Sequence, residues 1–147
     1  MQAWINVGTV DNFEVLRKRG FDLSPFKSSR QKQSSEMRPG DRIVYYLTKD
    51  VLFGGVVEVT GQMYEDTSDI GLESEGKPGE DYPYRIATKP VVIAKPGRAI
   101  DVREITDQLD KTRSFGPKKL GMCFRGNLHK ISEGDLRTIE RLLKPRS

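Results

Sequence analysis

A chain of 147 residues has room for one domain built around one core. With 35% hydrophobic and 31% charged residues it is too apolar for a disordered chain and too polar for a membrane protein. Its longest apolar runs, residues 43–47 and 90–94, fall far short of the roughly 20 that a spanning helix needs.

The opening Met1-Gln2-Ala3-Trp4-Ile5 has neither the basic nor the apolar region of a signal peptide, so a cytoplasmic protein is expected. Residues 3–7 read as a first strand ending at Gly8, with Trp4 expected to pack beneath the terminal helix. Asp11 then reads as an N-cap with Glu14 as its capping-box partner, opening a helix over residues 12–19 that stops at Gly20. Residues 21–39 form a long polar loop, and a loop of that length in a compact domain is often functional. The turn Pro39-Gly40-Asp41 launches a strand over residues 42–47. A second strand over 53–62 pairs with it as a hairpin, and its Gly54, Gly55 and Gly61 signal bulges or curvature.

Residues 65–81 are acidic and unpatterned, an exposed loop. Strand character returns over 82–89 and continues over 91–94 after Pro90, which marks a break or an edge. A short helix is expected over 101–109 and a last strand over 121–124. The final helix is the clearest element. Ser132 caps it, Asp135 stands three residues on, and Leu136, Ile139, Leu142 and Leu143 form an apolar stripe stapled by Ile131. The sum is an α+β domain on a curved mixed sheet or small barrel, spanning residues 1–147 as a single unit.

Charge is unevenly placed. Arg17, Lys18, Arg19, Lys27, Arg30, Lys32 and Arg38 face only Asp22 and Glu36 within their stretch, and residues 111–130 carry six bases and no acid. That asymmetry suits either a phosphate-following face or two solvated basic loops. The phosphate candidates are Lys27, Arg30, Lys32, Lys118, Lys119 and Arg125. Cys123 and His129 are the single cysteine and histidine, too few for a typical zinc site, and Cys123 reads as a small core residue. No P-loop, nucleophile elbow or dinucleotide fingerprint occurs, so the expectation is a binding module without catalytic residues, metal or cofactor.

Several landmarks coincide in order. Trp4-Ile5 opens the first strand. Met37-Arg38-Pro39-Gly40-Asp41-Arg42-Ile43-Val44-Tyr45-Tyr46 runs from a turn into a strand ending in Tyr. Phe53-Gly54-Gly55-Val56-Val57-Glu58-Val59-Thr60-Gly61, Glu65-Asp66, Tyr82-Pro83-Tyr84-Arg85-Ile86 and Phe124-Arg125-Gly126-Asn127-Leu128 follow, then the capped helix. Together they resemble the EVE domain, a PUA-like family related to YTH and ASCH domains. The resemblance implies a small β-barrel flanked by helices, with a pocket for a flipped or single-stranded base, often a modified one. It places that pocket near the end of the first strand, the loop after the first helix and the Tyr-Pro-Tyr-Arg strand. Where EVE and YTH members typically carry a Trp wall after the first helix, this chain has Phe21, followed by Asp22-Leu23-Ser24-Pro25.

A base pocket needs π-faces for stacking and a few fixed hydrogen bonds to read an edge. Phe21, Tyr46, Phe53, Tyr82 and Tyr84 are the aromatic candidates, each alternatively a core residue except Phe21, whose polar and basic neighbours favour the pocket role. Strand alternation lets at most one of Tyr45 and Tyr46 face the pocket. Thr9, Asn12 and Ser24 are candidates for reading the edge, Thr9 and Asn12 alternatively for local capping. Arg85 serves either as pocket wall or phosphate contact or as a structural ion pair. The expected partner is DNA or RNA, single-stranded or with a flipped base, and no membrane. The competing reading is a small-molecule sensor or a protein-interaction domain that uses the same pocket.

Overall fold

The computed structural model describes residues 1–72 and 82–147. Among them the chain runs β1 (Ala3–Gly8), α1 (Val10–Lys18), β2 (Leu23–Phe26), α2 (Gln31–Ser35), β3 (Arg42–Leu47), β4 (Leu52–Val59), β5 (Tyr64–Glu65), β6 (Tyr84–Ile93), β7 (Ile100–Asp101), α3 (Asp110–Arg113), α4 (Leu120–Cys123), β8 (Leu128–Ile131) and α5 (Glu133–Leu143). The strands follow one path, β2-β6-β4-β3-β1-β8, with β5 on β6 and β7 on β4. All pairs are antiparallel except β1 with β3. The result is a curled mixed sheet, a half-barrel with helices around it, as the sequence leads one to expect.

Alternation along β3 divides the interior in two. Ile43, Tyr45 and Leu47 face a cluster with Trp4, Phe13, Leu16, Phe21, Phe26 and Ile86, inside the curl and under α1. Val44 and Tyr46 face the other way, onto Phe53, Phe124 and the apolar stripe Leu136, Ile139 and Leu143 of α5. Trp4 therefore does not lie under the terminal helix; it belongs to the α1 side.

Two bulges bend the sheet. Tyr45 pairs with Gly55 and Tyr46 with Phe53, so Gly54 is the extra residue. A Cβ on Gly54 would lie 2.8 Å from the Phe13 ring, so the missing side chain also lets α1 settle on β4. The second bulge replaces the break expected at Pro90. Val56 pairs with Val92 and Val57 with Pro90, leaving Val91 extra, and β6 continues through as one strand.

Other expectations are corrected. Thr9, not Asp11, caps α1: its backbone is extended, its Oγ1 accepts from the N–H of Asn12, and the helix begins one residue later. Glu14 pairs with Arg17 instead of closing a capping box. The loop over 21–39 contains β2, which adds to β6, and α2. The helix expected over 101–109 is two 3-10 turns preceding α3, and the strand expected over 121–124 is α4, with β8 following it. Short apolar runs fit either element, and these were decided by tertiary packing. Of the acidic loop, Glu65 joins Tyr64 in a short strand on β6, while residues 73–81 lie outside the described residues.

Asp41 anchors the turn into β3. It is buried, and its carboxylate accepts from the backbone N–H of Gln2 at 2.8 Å, that of Arg38 at 3.0 Å and the Trp4 indole at 3.5 Å. Asp41→Ala leaves these donors without an acceptor and is expected to cost about 3 kcal/mol of stability, read as a lower urea midpoint with an unchanged m-value.

Candidate nucleic-acid interface

A cavity of about 400 Å³ opens where the ends of β1 and β3 meet the start of α1. That is within the roughly 300–1,000 Å³ of small-molecule sites. Asn6, Val7 and Gly8 of β1 form one side, with Tyr45, Leu47 and Thr48 from β3 and the following turn. Thr9, Asn12, Phe13 and Leu16 of α1 form the roof. Pro25 and Phe26 of β2, then Lys27 and Arg30, close a third side, and Leu72, Tyr82 and Asn127 complete the rim.

These positions follow from local structure. Thr9 and Asn12 are locked together by the cap, and the Asn12 amide also donates to the Tyr82 hydroxyl at 3.4 Å. Tyr82 holds a left-handed backbone conformation, φ +50, that presents its ring beside Lys27, whose Nζ is 5.9 Å from the ring centre. Val7 donates its N–H to the Asn127 carbonyl at 2.8 Å, fastening the second basic segment to β1. Gly126, at φ +90, turns that segment beside Arg30, whose Nη2 would lie 3.6 Å from a Cβ there. The two basic segments thus converge on one lip.

Of the base-pocket candidates, Thr9, Asn12 and Tyr82 line the cavity, and Lys27 and Arg30, assigned to phosphate from the sequence, line it with them. Phe21 does not. Its φ of +55 after Gly20 turns the ring inward, 5.1 Å from Phe13 and 6.3 Å from Tyr45, and it is only 4% exposed. Ser24 is wholly buried, its hydroxyl bonded to that of Tyr45, so it does not line the cavity. Burial holds the Tyr45 phenol neutral by raising its pKa. Tyr46 and Phe53 lie on the opposite face of the sheet, Tyr46 stacked 4.1 Å from Phe124.

Arg85 is buried and stands behind the rim. It donates to the Tyr82 carbonyl at 3.2 Å, to the Ser68 hydroxyl at 2.9 Å and to the Ser68 carbonyl, and pairs with Asp66 at 3.4 Å. Ser68, through its backbone N–H and hydroxyl, and then Arg85 hold the Asp66 carboxyl below its ordinary range. Arg85 therefore positions Tyr82 rather than lining the cavity. Lys32, Lys118, Lys119 and Arg125 are exposed on the surface outside it.

The sequence reading missed Asn6, Pro25, Phe26, Tyr45, Thr48 and Asn127 as lining residues. Asn6 carried a signal: it is the one polar residue inside the apolar run from Ala3 to Val7. Among the described residues no three His, Cys, Asp or Glu side chains gather as a metal site, and no helix is long and apolar enough to cross a membrane.

The EVE domain family model matches residues 2–142. The chain belongs to the EVE family. A UPF0310 protein of Pyrococcus horikoshii is 28% identical over 153 residues, covering 97% of this chain and 99% of its own. The EVE fold is shared with a hypothetical protein from Leishmania major, TM-score 0.65 at 16% identity, covering 99% of this chain and 96% of that one. It is also shared with the YTH domain of a Zygosaccharomyces rouxii protein in complex with N6-methyladenosine RNA, TM-score 0.66 at 14% identity, covering 99% and 88%. These likenesses are of fold, and they span nearly the whole EVE chain.

His129, on β8 next to the second basic segment, supplies a pH-dependent contribution. Burial, then the Lys111 ammonium 3.5 Å from Nδ1, lowers its pKa. The folded chain consequently binds this proton less readily than the unfolded one, so stability is full above the ordinary histidine pKa of about 6.5 and declines as pH falls below it. Thermal unfolding followed from pH 8 to pH 5 is expected to show that decline, and His129→Gln to flatten it.

Proposed function

We propose that this chain is an RNA-binding module that takes one base, modified or unmodified, into the cavity between the ends of β1 and β3. The observation that carries the reading is the placement of an aromatic ring, Tyr82, on the rim of a base-sized cavity whose lip holds Lys27 and Arg30. The N6-methyladenosine RNA bound by a YTH neighbour of the same fold supports RNA as the partner. Stacking requires a π-face, and reading an edge requires fixed donors and acceptors, which Asn6, Thr9, Asn12, Thr48 and Asn127 offer around the same space.

Lys118, Lys119 and Arg125 are exposed on the basic segment whose end, at Gly126 and Asn127, meets the lip, and on this reading a single strand's phosphates run along that segment. Extruding a base costs least when the strand is already single, so unpaired RNA is the favoured substrate. On this reading the module holds its base by stacking and hydrogen bonding and carries out no chemistry on it.

Fluorescence anisotropy with short single-stranded RNAs, unmodified and methylated, at two salt concentrations tests this reading. Binding is expected to weaken with salt, with a slope of about −0.7 per phosphate contacted. Tyr82→Ala is expected to lose about 1–3 kcal/mol. Replacing Lys118 and Lys119 with Gln is expected to weaken all sequences alike and to flatten the slope. No binding even at low salt would count against RNA and in favour of a small-molecule occupant.

A further inference from the structure

Among the described residues the charged side chains that line the cavity, Lys27 and Arg30, are both positive, and this bears on which bases it admits, given the base-binding reading above. Lys27 and Tyr82 line the same space, with the ammonium 5.9 Å from the ring centre. A ring face attracts a cation through its quadrupole, and here that attraction is already engaged by the chain's own ammonium. Arg30 lines the adjoining wall. Its side chain donates to Gln33 Oε1 at a long 3.4 Å, while its Nε is buried with no partner among the described residues. Among the described residues neither Lys27 nor Arg30 is ion-paired to a carboxylate.

Two positive groups around one enclosed space penalise a third, because like charges repel more steeply where water is thin. Aromatic-lined sites that accept cationic bases do so by cation–π attraction, and here a cationic base would first have to displace Lys27 from Tyr82. A neutral base meets no such competitor. Its carbonyl or ring-nitrogen acceptors face donors that the chain leaves under-used.

We propose that the cavity is charge-selective: it admits neutral bases and excludes those made cationic by methylation of a ring nitrogen, and Lys27 is the residue that sets this choice. Neutral methylation on an exocyclic amine or ring carbon is compatible with the site; the fixed charge is what it rejects.

Isomer pairs isolate charge from size. One single-stranded RNA is prepared with N6-methyladenine or 1-methyladenine, with 5-methylcytosine or 3-methylcytosine, and with 1-methylguanine or 7-methylguanine at its central position. Each pair has the same methyl count, and the methyl groups fall on different edges. Anisotropy titrations at slightly acidic pH, where the second member of each pair is cationic, are expected to show it binding about tenfold or more weakly in all pairs. Lys27→Gln should weaken both members through lost phosphate attraction yet bring their ratio towards one. Equal or tighter binding of a cationic isomer, or a ratio unmoved by Lys27→Gln, overturns the charge selection while leaving base binding intact. If none of the RNAs binds, base binding itself falls, and the charge selection with it.

Discussion

The parallel pairing of β1 with β3 is the constraint on which the rest of the molecule hangs. Antiparallel neighbours can be joined by a tight turn, but parallel ones need the chain to cross back over the sheet. Here the crossover holds α1, β2 and α2: α1 packs on the face of the sheet that carries Tyr45, and β2 adds to the sheet beside β6. The cavity is a product of that route. Its roof is the first half of the crossover, its third side is the end of β2 and the residues after it, and its floor is the two parallel strand ends. Asp41 closes the circuit by accepting from the backbone of Gln2, the residue before β1, at the point where the crossover re-enters the sheet.

The aromatic residues divide according to the same geometry. A half-barrel has an inside and an outside, and strand alternation sends Tyr45 to one and Tyr46 to the other. Phe13, Phe21 and Tyr45 pack together beneath α1 and hold the crossover down, so most of the aromatic surface is spent on folding. Phe26 and Tyr82 meet the cavity because they sit where elements end: Phe26 is the last residue of β2, and Tyr82 precedes β6. Rigid strand ends are good places to hold a binding group, since the sheet behind them limits their movement.

The strands carrying regular apolar patterns were legible. Residues 42–47 match β3 in both bounds, and the capped terminal helix with its apolar stripe was clear from Ser132 onward. The curved mixed architecture and the family were legible from ordered landmarks. Less could be read where a residue's environment comes from distant chain. Residues 23–26 look like part of a polar loop, yet they become a buried strand because β6 offers an open edge. Residues 121–124 look extended, yet they turn into a helix that packs Cys123 and Phe124 against Tyr46. Phe21 shows the limit most plainly. Its neighbours in sequence are polar, and only the left-handed turn at Gly20 and Phe21 sends the ring inward. At the site, Thr9, Asn12, Tyr82 and the two bases Lys27 and Arg30 were singled out in advance, whereas Pro25, Phe26 and Asn127 were hidden by the same long-range dependence.

Asp135 joins two parts of the chain that look unrelated in sequence. Its backbone N–H completes the cap of α5, while its carboxylate accepts the backbone N–H groups of Asp110 and Lys111 at 2.8 and 2.9 Å. The second basic segment is therefore tethered at its start by a buried carboxylate and at its end by the pairing of β8 with β1. A loop held at both ends has fewer shapes to explore, so its lysines and arginine are restricted before any strand arrives. The entropy of ordering that surface is met largely during folding, so on the proposed reading a bound strand would bear little of it.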